Sequence, residues 1–257
     1  MENRYRIVCP FRFDFFDGYW RNFRDSGTDE PVMRLSLESK NVDLYGAETL
    51  PVYDGGKAFR VSDSVLCVNR DFTEGKICGN SDDIQGIYGC AMVALYGNLI
   101  RRDTLVMHSS MIECNGEAIL FTGPSGVGKT TQAELWNEYR GARIVNGDMV
   151  FIHKDDDGRF YACGSPWHGS SEYCLNVKLP IKAIVTPIKS DECRIEAVSG
   201  MEMLRRVFPE AMLPDWFNGC KELGMSTLDG LLKSVPVYKL ECTKDIRAVE
   251  ALEKKLG

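Results

Sequence analysis

Apolar positions in this chain change their spacing twice, and each change marks a different kind of element. Up to about residue 80 they come in short alternating runs. Tyr5 to Cys9, Met33 to Leu37, Ala58 to Val61, Val65 to Asn69 and Lys76 to Cys78 predict strands. Asp25 to Asp29, Asp54 to Gly56 and Asp71 to Gly75 predict the turns between them. The Phe-rich stretch from Phe11 to Phe23 reads as core or edge packing rather than a ligand box. From residue 83 the spacing becomes helical, with Ile84, Ile87, Tyr88, Met92, Leu95, Leu99 and Ile100 in phase. Asp82 and Asp83 suit the start of that helix, and Arg101 and Arg102 its end. Gly86, Gly89 and Gly97 weaken it but permit a close neighbour. The expected organisation is a β-rich N-terminal subdomain over residues 1–82, joined by this helix to a second domain over 83–257.

Beyond residue 104 strands and helices alternate. Leu105 to Glu113 predicts a strand, and Asn115-Gly116 predicts a two-residue hairpin returning it antiparallel into Ala118 to Phe121. A helix is expected from Lys129 to Tyr139, with Gly141 as its C-cap. Arg143 to Asn146 follows as a strand, running parallel to Ala118–Phe121 in a βαβ unit. Met149 to His153 and Arg159 to Cys163 form a hairpin whose acidic tip, residues 154–158, reads as solvated rather than as a calcium loop. Ile181 to Ile188 is a strand expected to pair with Cys193 to Ala197. Met201–Val207 and Trp216–Lys233 are helices, Val237–Glu241 a strand, and Ile246–Leu256 an amphipathic helix. The fold class is therefore α/β with mixed sheets.

Composition narrows the function. A length of 257 residues with 44% hydrophobic residues allows one or two full cores. A net charge of −6 argues against nucleic acid as a partner. Ten cysteines without a C-x-x-C pair argue against structural zinc, and are expected to be reduced thiols in the cytoplasm. No signal-peptide pattern is read at the start, where Arg4, Arg6, Asp14 and Asp17 interrupt it. No apolar run approaches the roughly 20 residues of a membrane span.

Candidate chemistry centres on Gly123-Pro-Ser-Gly-Val-Gly-Lys-Thr130, which fits the phosphate-loop pattern G-x-x-x-x-G-K-[ST] at every fixed position. Gly123, Pro124, Ser125, Gly126, Val127 and Gly128 would turn successive N–H groups onto a polyphosphate, with Thr131 in the first helical turn behind them. Lys129 would bring a point charge to the outer phosphates, and Thr130 a hydroxyl to Mg²⁺. Asp148 ends the strand after the helix, where the βαβ geometry lets it reach the same ion; the other reading is an ordinary turn aspartate. His108 lies on the strand leading to the hairpin, either at the site or as a hydrogen-bonded structural histidine. In Gly164-Ser-Pro-Trp-His-Gly-Ser-Ser171, His168, Ser170 and Ser171 could meet phosphate or acceptor while Trp167 packs beneath; function and structure are equally open there.

This order resembles the nucleotide-binding core of HPr kinase/phosphorylase, itself similar to ATP-dependent phosphoenolpyruvate carboxykinase. Met107-His108-Ser109 is similar to the family's strand histidine, Gly123–Thr130 to its phosphate loop, and Arg143 to Asp148 to its segment ending in paired aspartates. The Trp-His loop is similar to one in small HPr-kinase-like proteins. The likeness spans roughly residues 100–190. It implies the HPr kinase C-terminal domain fold and transfer of a phosphoryl group from ATP to a serine hydroxyl of a small protein or peptide, or to a small-molecule hydroxyl. Lys129 would hold the outer phosphates, Thr130 and Asp148 the Mg²⁺, and His108 would act near the γ-phosphate. The family forms rings, so a homo-oligomer is implied, although no stretch here marks an interface. One departure stands out. The first of the paired aspartates, the family's general base, is Gly147 here. Asp148 would then do double duty, or a base would come from His108, His168 or Glu172, or none would be used. A nucleotide-binding ATPase or switch is the alternative.

Overall fold

A computed structural model of the chain describes residues 5–8, 19–23, 30–39 and 53–257. Residues 11–18 of the Phe-rich stretch and the turn expected at 25–29 lie outside them. The chain divides into two compact units, Met1–Arg102 and Asp103–Gly257. No helix among the described residues is long and apolar enough to cross a membrane.

In the first unit, strands β1 (Tyr5–Val8), β2 (Met33–Ser39), β3 (Lys57–Val61), β4 (Ser64–Val68) and β5 (Glu74–Gly79) form a sheet in the order β1-β2-β5-β4-β3. Helix α1 (Ile84–Ile100) packs on β3, β4 and β5. The division therefore falls after the helix, whereas the sequence reading put it before, at residues 82 and 83. The cause is local. A Cβ at Gly89 would lie 2.6 Å from Val61 Cγ1, and one at Gly97 2.3 Å from the Phe72 ring. Only glycine lets the helix sit this close to the strands. Asp83 caps α1 by accepting from Gly86 N–H at 3.1 Å, and it also accepts from Ser64 Oγ at 2.8 Å.

The second unit is built on nine strands with helices on both faces. Its elements are β6 (Thr104–Cys114), β7 (Glu117–Thr122), α2 (Lys129–Arg140), β8 (Arg143–Asn146), β9 (Met149–Lys154), β10 (Phe160–Gly164), β11 (Lys178–Lys189), β12 (Arg194–Val198), α3 (Gly200–Val207), β13 (Ala211–Met212), α4 (Cys220–Ser234), β14 (Val237–Cys242) and α5 (Ile246–Leu256). The order is β10-β9-β6-β7-β11-β14-β12, with β8 and β13 also paired to β6. The Asn115-Gly116 hairpin forms, with Cys114 opposite Glu117. Strand β8 runs parallel to β7 as expected, but β6 lies between them and pairs antiparallel with both. The expected pairing of residues 193–197 with β11 does not occur. β14 adds to β11 through a parallel ladder and takes that edge, so β12 pairs antiparallel with β14 instead.

Period-two alternation sets the two faces. Along β7 and β11, Ile119, Phe121, Ala183 and Val185 face α2 and α5, where they meet Trp136, Val249 and Leu252. Leu120 and Ile184 face the other way, with Leu228 and Leu231 of α4 and Val207 of α3. Phe121 is fully buried at the end of β7, directly before the glycine loop. Phe121→Ala is expected to cost about 3–5 kcal/mol, because the lost burial and the cavity add. Chemical denaturation of the full chain measures it, and a change under about 1 kcal/mol would show that the β7–α2 seam is not close-packed.

Candidate functional site

The glycine loop emerges where β7 ends. Gly123, Gly126 and Gly128 have φ of 140°, 75° and 113°, in the region that disfavours side chains. Pro124, Ser125 and Gly126 are exposed at the tip. The turn closes through Val127 N–H to Pro124 O at 3.2 Å, and α2 starts from Gly128 with no side-chain cap. The first turn of α2 is thus left with donors that a side chain would otherwise take. Lys129 is buried, and its Nζ donates to Gly123 O at 2.8 Å and Pro124 O at 3.3 Å. Burial holds its pKa below the usual lysine value, opposed by the charges of Glu210 and Asp148.

Beneath the loop, three oxygens converge. Ser110 Oγ donates to Gly147 O at 3.1 Å and lies 3.4 Å from Thr130 Oγ1, which is itself 3.4 Å from Gly147 O. Beside them, His108 is held from both sides. Its Nε2 lies 3.0 Å from Asp148 Oδ1 and its Nδ1 3.1 Å from Glu210 Oε2. The bond to Asp148 raises the His108 pKa, against burial and the Lys129 charge; the Glu210 charge helps. The same bond lowers the Asp148 pKa.

The sequence reading thus brings His108, Lys129, Thr130 and Asp148 to one corner of the sheet. It missed Glu210 and Ser110. Glu210 was hidden because it lies 102 residues from His108, beside a two-residue strand that no periodicity can announce. Ser110 was legible, since alternation on β6 puts it two residues beyond His108 on the same side.

The Trp-His loop closes the corner. Trp167 is buried against Phe151, with ring centroids 5.9 Å apart. His168 Nδ1 bonds to Ser171 O, and Ser171 Oγ returns a bond to His168 O at 2.7 Å. A carbonyl only accepts, so Nδ1 carries the hydrogen. Asn146 ties the loop to β8 by donating to Ser165 O at 2.9 Å and Trp167 O at 3.2 Å. This packing explains glycine at 147. A Cβ there would lie 2.0 Å from Ser171 Oγ, so an aspartate has no room. Gly169 is likewise pressed on Asp148, whose Cγ would be 2.9 Å from its Cβ. Ser170 and Glu172 are exposed.

No family model matches the sequence, and no curated protein matches it. Among solved structures the chain is similar to the HPr(Ser) kinase/phosphatase from Coxiella burnetii, at a TM-score of 0.33 and 10% identity. The match covers 59% of this chain and 92% of that one. A likeness this weak carries no argument, so the chemistry below rests on the geometry.

The His108–Asp148 pair sets a pH window. The raised histidine contributes fully below its ordinary 6.5 and loses its contribution as pH climbs through the higher folded value. The lowered aspartate contributes above its ordinary 3.8 and fails as pH drops through the lower folded value. The pair therefore stabilises most between these limits. The melting-temperature gap between wild type and His108→Gln is expected to shrink from about pH 6 to about pH 9, as the histidine charge is lost. A gap that stays constant would show that the pair is not ionic.

Proposed function

We propose that this chain is a phosphotransferase that moves the γ-phosphoryl group of ATP to a hydroxyl, with a serine of a small protein or peptide as the acceptor class. The observation that supports it most is the loop from Gly123 to Gly128, exposed at its tip, which ends on an uncapped helix start with a buried lysine amine folded against its carbonyls. Main-chain donors and a helix N-terminus suit a polyphosphate. Lys129, bonded among the described residues to neutral carbonyls alone, has charge available for anionic oxygens.

The donor set under the loop also suits Mg²⁺, which takes oxygen ligands and few protein groups when it binds with phosphates. Thr130 and Asp148 would hold it. Bound there, the ion would neutralise charge on the phosphates. Among the described residues no three His, Cys, Asp or Glu side chains form a metal cage, so the phosphates themselves would complete the shell. In the transfer, the acceptor oxygen bonds to the γ-phosphorus as the bond to the bridging oxygen breaks. ADP keeps that electron pair, and the hydroxyl proton leaves to a base. With glycine at 147, Asp148 is the carboxylate of the β8–β9 turn that remains for it. When protonated, His108 would add positive potential beside the site.

A second reading draws on Gly147. Without a separate base, the site would serve a nucleotide-binding ATPase or switch. That reading expects hydrolysis insensitive to any acceptor, whereas the kinase reading expects slow hydrolysis alone and faster transfer with one. γ-Labelled ATP with cell lysate separates them. Lys129→Ala is expected to lower turnover by about 10²–10³-fold while the melting temperature is kept. Wild-type turnover in that variant would overturn the phosphate-binding role of the loop. Asp148→Asn is expected to lose Mg²⁺-dependent turnover, and unchanged Mg²⁺ dependence would remove its metal role.

A further inference from the structure

Glu210 takes no part in the cradle just described, yet it is an acidic side chain buried against it, 8% exposed. The sheet puts it there. β13 pairs antiparallel with β6 through Ala211 opposite Met107 and Met212 opposite Val106. One further step of that register sets Glu210 opposite His108, and opposed residues share a face. On the other edge of β6, His108 pairs with Met149, the residue after Asp148. The ring is therefore reached from both neighbouring strands, with a carboxylate oxygen at each nitrogen. Among the described residues, His108 is the only ion-pair partner of Glu210. A ring gripped at both nitrogens cannot turn without breaking a bond, whereas one gripped at a single nitrogen can.

We propose that Glu210 is a positioning residue of the phosphoryl-transfer site, fixing the His108 ring so that Nε2 stays on Asp148 and the Asp148 carboxylate stays aimed under the loop. This rests on the kinase reading above. The competing role is plain anchoring of β13 to the sheet. The two differ in what they disturb. Loss of anchoring lowers stability without changing the ring in folded molecules. Loss of positioning lowers kcat in folded protein more than it changes the KM for ATP, because Glu210 reaches Lys129 only through its charge and bonds to His108 instead.

The test uses the full chain, with γ-labelled ATP hydrolysis as the assay and the ring nitrogens of the three histidines followed by NMR. The His108 signals are assigned with His108→Gln. Glu210→Ala is expected to lower kcat about 10–100-fold, the worth of a hydrogen bond to a charged group, with KM within about twofold. Glu210→Gln keeps an acceptor oxygen at the same reach and is expected to recover part of the loss; it also serves if the alanine variant does not fold. In both, the His108 ring signals are expected to move while those of His153 and His168 stay. Wild-type kcat in Glu210→Gln and Glu210→Ala overturns the proposal, as do unmoved His108 signals. So does a loss of activity that merely follows unfolding. If the wild type turns over no ATP, the kinase reading falls instead, and the ring signals alone then decide whether Glu210 orients His108.

Discussion

Strand β6 must find hydrogen-bonding neighbours along both edges, and meeting that demand assembles the candidate site. On one edge β9 serves residues 104–108 and β8 serves 111–113; on the other, β13 serves 106–107 and β7 serves 109–114. Both edges thus change partners at His108 and Ser109. The changeovers are sealed by Ser109 N–H on Asp148 O at 2.7 Å and Thr122 Oγ1 on His108 O at 2.8 Å. Chain that switches partners must leave the sheet, and here it leaves as the Gly147-Asp148 turn and the loop after Thr122. A sheet concentrates ligand sites where its connections part in this way.

The same corner concentrates charge. Lys129, Glu210, Asp148 and His108 are all buried or half-buried, and an unpaired charge there would cost several kcal/mol. Two carboxylates and one imidazole settle among themselves. Among the described residues Lys129 bonds only to carbonyls, and burial lowers its pKa against the charges of Glu210 and Asp148. An anion at the loop would give Lys129 a directly bonded charged partner, which the other three groups already have.

Much of this was legible in the sequence because it is local. The hairpin at Asn115-Gly116, the glycine loop, the cap at Gly141 and the final helix Ile246–Leu256 each follow from a few adjacent residues. What failed depended on distant chain. Residues 190–193 look like a short hairpin turn, but β14 enters from some 40 residues downstream and separates the strands they join. α1 was joined to the wrong unit because helical spacing shows that a helix is buried, not against what. Glu210 was missed for a related reason. Its neighbours Phe208 and Pro209 read as a helix end, and only the β6 register gives the acid its partner.

Glycine at 147 shows how a missing side chain can be a packing requirement. Residues 165–171 lie over the β8–β9 turn, held by Asn146 and by the Ser171–His168 pair of bonds. That close fit needs no Cβ at 147 and none at 169. An aspartate at 147 would press its Cβ on the Ser171 side chain, which would have to move and give up its bond to His168 O. The turn therefore holds one carboxylate, with the loop packed closely over it. With a single aspartate at the turn, the chemistry of the proposed transfer would depend on how firmly that one group is aimed, with His108 bonded to its Oδ1 as the group to aim it.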